Sequence, residues 1–122
     1  MYKSIVRYNE VNSYLTKDES TIKELMHPAH HAVLNQSLAE AIVPAGVMTK
    51  RHYHENAEEL YHITAGEGLM MLGDDQFSVA AGDTVCISPG TEHCIKNTGE
   101  QNLTILCSCS PAYSHEDTVL VD

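Results

Sequence analysis

Positive charge is what this chain has least of. Its 122 residues include only seven Lys or Arg against seventeen Asp or Glu, a formal net charge of −10 with the eight histidines neutral. A surface that acidic repels phosphate backbones and anionic lipid, which argues against nucleic-acid and membrane partners. Long apolar runs are missing as well, and none reaches the roughly 18 residues that suggest a membrane span. The opening residues MYKSIVRYNEVNSY lack the apolar stretch and small-residue cleavage site of a secretory signal, so a cytoplasmic protein is expected. No CxxC occurs among Cys86, Cys94, Cys107 and Cys109, which read as reduced core residues. Cys107 and Cys109 would share one face of a strand and set a thiol pair toward the interior. Low-complexity stretches, internal repeats and long linkers are also lacking. One domain over residues 1–122 is expected, its 43% apolar share sufficient for a single core.

Turn signals recur at short intervals. They include Pro44-Ala45-Gly46, Thr64 to Gly68, Gly73-Asp74-Asp75, Ala81-Gly82-Asp83, Ser88-Pro89-Gly90 and Asn97-Thr98-Gly99. Between them lie short runs rich in branched and apolar residues: SLAEAIV, GLMML, FSVA, DTVCI and LTILC. Many short strands at near-regular spacing read as an all-β sandwich or barrel. Gly73-Asp74-Asp75-Gln76 predicts a tight hairpin joining GLMML to FSVA. DESTIKELM carries a cap-like Asp18 or Ser20 and near-helical spacing of Ile22, Leu25 and Met26. Nine residues are few for a helix, and a strand or short turn is the preferred reading. The N-terminal YKSIVRYNEV has β character within a segment, 1–35, that precedes the motifs. The tail, 110–122, begins SPAYSHEDTVLVD and is expected to fold over a neighbouring surface.

The densest chemistry lies in RHYHENAEEL, Arg51 to Leu60, which holds two histidines and three glutamates. His52 and His54 are two apart, so a strand points both imidazoles to one side, where they can reach one ion. In an unbroken strand Glu58 would join that side. However, ENAE has poor β propensity and reads as a turn, after which Glu59, Tyr61 and Ile63 form one face and Leu60 and His62 the other. Local physics alone leaves Glu58 and Glu59 both open.

From Gly46 the pattern runs G-x5-HxH-x4-E-x6-G, through His52, His54 and Glu59 to Gly66. Further on, GDTVCISPGTEHCIKN carries Gly82, Pro89, Gly90, His93 and Asn97. The two stretches resemble the paired motifs of the cupin superfamily, with one departure: Ser88 and Pro89 stand where the family places Pro and a variable residue. The resemblance spans residues 46–97 and is closest to small single-domain cupins, like the metal domain of phosphomannose isomerases. It implies a double-stranded β-helix, or jelly-roll barrel, holding a divalent transition metal (Mn, Fe, Ni, Cu or Zn) through His52, His54, Glu59 and His93. Within it Gly46, Gly66 and Gly82 would sit where strands reverse and Gly90 at a turn. Asp83 would cap one turn and Asn97 pin another. A homodimer is a further implication.

Around such a site Tyr61 follows Glu59 by two and can enter the barrel as a hydrogen-bond donor or acid, the candidate catalytic residue. His62 should face outward. His30, His31, Tyr113 and His115 read as surface residues in segments near the rim, and Met48, Met70 and Met71 as core. Three functions compete for the fold: a metal-dependent oxygenase, decarboxylase or lyase on a small organic substrate; a sugar or sugar-phosphate isomerase; and a non-catalytic binding or sensing module. Phosphate recognition wants Arg or Lys, and only Lys50, Arg51 and Lys96 lie near the motifs. Lys50 shares the parity of His52, whereas Arg51 should point out, which ranks a phosphorylated substrate lower. A general acid or base beside the metal would separate isomerisation or lyase chemistry from mere binding.

Overall fold

The computed structural model describes residues 4–121. A 3-10 turn at Tyr8–Glu10 is followed by eleven strands. They are β1 (Ser13–Leu15), β2 (Thr21–Met26), β3 (Ser37–Val43), β4 (His52–His54), β5 (Glu58–Ala65), β6 (Glu67–Leu72), β7 (Asp75–Ala80), β8 (Thr84–Ile87), β9 (His93–Asn97), β10 (Leu103–Ser110) and β11 (Thr118–Leu120). One sheet runs β1-β2-β3-β10-β5-β8 and the other β11-β4-β9-β6-β7. Every strand pair is antiparallel. The all-β double-stranded helix implied by the motifs is the observed architecture.

Each predicted run becomes a strand for a visible reason. SLAEAIV is β3 in full, and in β10 the alternation of LTILCSCS buries Leu103, Ile105, Cys107 and Cys109. DESTIKELM is the strand β2 preceded by a turn, in which Glu19 adopts φ 71° and the Ser20 backbone N–H donates to Asp18 Oδ1. The Asp18 cap is therefore real, but it caps a β-turn. The β6–β7 hairpin closes through Gly73 and Asp74, with Leu72 paired to Asp75. YKSIVRYNEV departs from its β character: from Ser4 to Asn12 the chain forms no strand, and Tyr2 and Lys3 lie outside the described residues.

Register sorts the interior into two ends. Across β3, β10 and β5 the inward residues form rows: Val43 with Leu103, then Ala41 with Ile105 and Ile63, then Ala39 with Cys107 and Tyr61, then Ser37 with Cys109 and Glu59. The first rows are branched and fill the floor together with Met70, Ile87 and Ile95. The later rows are small or polar, so they leave space where the floor rows leave none. Met70 belongs to this core, Met71 is half-buried, and Met48 is 53% exposed, against the expectation that it packs inside. Met48 lies outside the named strands, held only by a bridge to Lys96, so no alternation turns its side chain inward.

Turns are fixed by side chains as well as by glycine. Asn97, 1% exposed, donates through Nδ2 to the Val43 and Gln101 carbonyls, while its Oδ1 accepts from the Gly99 N–H. Asp83 Oδ2 accepts from the Ala80 N–H. Gly46 (φ 76°) and Gly66 (φ 87°) both occupy the left-handed region, yet a Cβ at Gly66 would sit 2.7 Å from the Asn102 carbonyl oxygen, whereas one at Gly46 would meet nothing within 4 Å. Gly46→Ala is therefore expected to cost only the left-handed penalty of about 1–2 kcal/mol. Gly66→Ala should cost clearly more, as seen in the denaturation midpoints of the two variants.

Candidate metal centre

Glu59 and the three histidines reach one point from three strands. The turn at Glu55 to Ala57 resets parity, so β5 buries Glu59, Tyr61 and Ile63 and exposes Glu58, Leu60 and His62. Asp117 holds that turn by accepting from the Asn56 and Ala57 N–H groups at 2.8 and 3.0 Å. Of the two glutamates, Glu59 is the one buried beside the histidines, while Glu58 is exposed. His52 and His54 are the two buried ends of β4, and His52 pairs with His93 across to β9. The shifted proline does not disturb the turn before β9, where Thr91 N–H donates to Ser88 O and Gly90 N–H to His54 O.

The second nitrogen of each ring is already engaged. His52 Nδ1 lies 2.9 Å from the Lys50 carbonyl and His93 Nδ1 2.9 Å from the Thr91 carbonyl. A carbonyl only accepts, so in both neutral rings Nδ1 carries the proton and Nε2 is a lone pair. His54 Nδ1 meets Thr118 Oγ1 at 3.0 Å. That hydroxyl donates its own proton to the Ser114 carbonyl, so it accepts from His54. All three Nε2 atoms are thus free to donate electron pairs, which is how metal-binding imidazoles are commonly oriented. His93 Nε2 is buried with no hydrogen-bond partner.

Those lone pairs face a carboxylate. Glu59 Oε1 is 3.1 Å from His54 Nε2 and 3.5 Å from His93 Nε2. The four ligand atoms of His52, His54, Glu59 and His93 all lie within 4.8 Å of one another. Ligand atoms this close together are within reach of one ion, which His52, His54, Glu59 and His93 would hold in common. An orphaned buried nitrogen and acceptors turned toward each other fit a cation held between them. Burial pushes the Glu59 carboxyl up, but hydrogen bonds and charge from His54 and His93, which those rings supply only when protonated at Nε2, outweigh it and hold it down at about 2. Burial, then the neighbouring His93, lowers His52. The carboxylate is ionised and His52 favours the neutral, ligating form.

Beside the cluster lies a cavity of about 50 Å³. Its walls include Tyr61, Cys107, Cys109, Tyr113 and Thr118. Tyr61 enters the barrel as its parity predicts, and burial followed by the Glu59 charge raises its phenol well above 10. Tyr113, read from sequence as a surface residue, instead lines the cavity, its phenol raised to about 12 chiefly by burial. The tail brings it there: β11 pairs with β4, and Lys17 Nζ donates to the His115 and Thr118 carbonyls. His115 is exposed and contacts Tyr113, while His30 and His31 lie in a separate groove. Lys50 does not enter the cavity; it precedes β4 and pairs on the surface with Glu19. Arg51 points away, as expected, onto Glu92 and the Gly73 carbonyl. Sequence reading missed Asp18, Glu24 and Thr118, which reach the site from chain segments with no motif.

A two-sheet β-helix with a His/Glu cluster at one end defines a class before any comparison is made. The chain belongs to the cupin family: the Cupin domain model matches residues 39–109. An uncharacterised protein of Methanocaldococcus jannaschii is 49% identical over 115 residues, 94% of this chain and 92% of that one. Escherichia coli mannose-1-phosphate guanylyltransferase is 30% identical over 79 residues, 65% of this chain but only 17% of that enzyme's length. Among solved structures, Streptomyces PAC13 with uridine aligns over 99% of this chain and 92% of its own, at TM-score 0.81 and 15% identity. Oxalate decarboxylase of Bacillus subtilis aligns over 99% of this chain and 32% of its own, at TM-score 0.84 and 16% identity. At these identities the structural likeness carries the fold alone. No helix among the described residues is long and apolar enough to cross a membrane.

The four cysteines are free, but Cys86 is exposed, contrary to the core role expected of all four. Cys107 and Cys109 do share the interior face, and burial followed by the Glu59 charge raises both thiols. Cys109 Sγ donates to Glu59 Oε2 at 3.3 Å. A thiol-reactive disulfide reagent is expected to titrate one cysteine in the native protein and all four in denaturant.

Proposed function

We propose that this protein is a metal-dependent enzyme of the lyase type, acting by proton transfer on a small, uncharged, hydroxylated organic substrate. One observation carries the reading: the cavity beside the His52, His54, Glu59 and His93 cluster is lined by proton-bearing side chains and by no Lys or Arg. A phosphorylated or carboxylated substrate would meet Asp18, Glu24 and Glu59 with no protein cation to oppose them, which disfavours it by like-charge repulsion. A hydroxylated neutral molecule finds hydroxyl partners in Tyr61, Tyr113 and Thr118, set among apolar Ile22, Ala39 and Ala41.

His52, His54, Glu59 and His93 would hold the ion, and a bound divalent ion supplies Lewis-acid polarisation of a hydroxyl or carbonyl oxygen. The other groups are placed for proton movement. Tyr61 and Tyr113, with phenols raised by burial, keep their protons near neutrality and act as donors to a departing or developing oxygen. Glu24 lines the cavity near its N-terminal wall, where its Oε2 accepts from the Tyr14 hydroxyl at 3.3 Å, and it is the acceptor for a proton leaving the substrate. The family resemblance, and the nucleoside dehydratase PAC13 as a structural neighbour, are consistent with such chemistry. The homodimer implied by the resemblance is kept as part of the proposal, supported by the fully exposed edge strand β1.

Elemental analysis of freshly purified protein beside His52→Ala and Tyr61→Phe tests the reading. A near-stoichiometric transition metal is expected in the wild type and in Tyr61→Phe, and its loss is expected in His52→Ala. Among small polyols, sugars and their phosphate esters, turnover is expected for the neutral compounds and should fall about 10²-fold or more in Tyr61→Phe. No metal in the wild type, or turnover confined to phosphate esters, would contradict the proposal. A metal with no turnover anywhere on the panel would favour the binding-module reading.

A further inference from the structure

The N-terminal hairpin contributes a side of the cavity that the motifs do not describe. Tyr14, Thr16, Asp18, Ser20, Ile22 and Glu24, at alternate positions, all line it, and all precede the matched residues 39–109. Asp18 is the member that faces His52 of the cluster. It is 8% exposed, and its Oδ1 accepts from Thr16 Oγ1 at 2.6 Å, Ser20 Oγ at 2.6 Å and the Ser20 N–H at 3.0 Å. Three donors on one oxygen pin the carboxylate and leave Oδ2 aimed into the site. Oδ2 lies 3.9 Å from His52 Nε2 and receives no hydrogen bond among the described residues. The same turn also sets His52: the Asp18 carbonyl accepts from the Lys50 N–H, and the Lys50 carbonyl accepts from His52 Nδ1.

That pairing repeats the contradiction seen at Glu59. In the neutral His52 ring Nε2 is a lone pair because Nδ1 carries the proton, so the Asp18 carboxylate oxygen on the cavity wall faces a second acceptor across 3.9 Å. Burial of an uncompensated charge is costly, and no Lys or Arg lines the cavity to relieve it. Yet Asp18 does not belong to the group of ligand atoms lying within 4.8 Å of one another, so it stands one step outside the ligand set.

We propose that Asp18 is the second carboxylate of the metal centre, held just outside the ligands and hydrogen-bonded to water on the ion. Three neutral imidazoles and Glu59 leave a divalent ion with one uncompensated positive charge; Asp18 cancels it. The inference rests on the metal-binding reading above and adds to it a positioning and charge-balancing residue from a segment outside the family core. Outer partners of this kind typically change metal affinity about 10–100-fold.

Calorimetric titration of the metal-free protein with Mn(II) tests it, comparing the wild type with Asp18→Asn, Glu59→Gln and Ser20→Ala, each checked for fold by far-ultraviolet circular dichroism. Asp18→Asn is expected to bind about tenfold more weakly, Glu59→Gln more weakly still, and Ser20→Ala, which keeps the charge, within about threefold of the wild type. A crystal structure of the Mn(II)-loaded wild type is expected to show Asp18 Oδ2 hydrogen-bonded to water on the ion, and it decides the matter if Asp18→Asn fails to fold. Asp18→Asn binding within twofold of a wild type that does bind, or Asp18 turned away from the loaded site, would overturn this inference while leaving the metal site intact. A wild type that binds no Mn(II) would overturn both.

Discussion

A buried carboxylate facing imidazole lone pairs organises this molecule. Glu59 is ionised and enclosed, and the nearest nitrogens of His54 and His93 are the ones whose partner atoms already hold their protons. Converging acceptors in a protein interior are costly unless a proton or a cation lies between them, and this cluster could hold either. Everything around the cluster serves that convergence: the turn that resets β5, the backbone carbonyls that orient His52 and His93, and the Thr118 hydroxyl that orients His54. The floor of branched side chains beneath it keeps the strands at fixed register, so the ligand positions are set by the core as much as by their own contacts.

The interior is built as a gradient. Along β3, β10 and β5 the same inward-facing rows pass from Val43 and Leu103 to Ser37, Cys109 and Glu59. Branched side chains at one end supply the buried apolar area that stabilises the fold, and small ones at the other leave room for chemistry. Two segments outside the matched family region then close over the open end. The N-terminal hairpin brings Asp18 and Glu24, and the C-terminal tail brings Tyr113 and Thr118. Lys17 ties them together through the His115 and Thr118 carbonyls. The family core thus supplies the ligands, while the flanks supply much of the wall that would meet a substrate.

Much of this was legible beforehand because it depends on local chemistry. Alternation in SLAEAIV and LTILC reports two-sided strands, glycines report reversals, and the poor β propensity of ENAE reports the turn before β5, while the choice of Glu59 over Glu58 needed the family spacing. Errors came where local pattern stops. Met48 lies in an irregular segment whose side-chain direction no alternation governs. Lys50 precedes its strand by two residues, so the parity assigned to it did not apply. Cys86 shows that a short apolar run such as DTVCI can have one face in solvent.

From the sequence came the all-β class and the inward position of Tyr61, through strand period and turn chemistry, and, through the resemblance to the cupin motifs, the jelly-roll barrel and the four clustered residues. Tertiary structure alone decided that Tyr113 lines the cavity, that Thr118 selects the His54 tautomer, and that Asp18 aims a free oxygen at His52. Those contacts join residues 34 to 64 positions apart, where loop geometry rather than local periodicity determines what meets. They also complete the wall, free of Lys and Arg, on which the proposed substrate class depends.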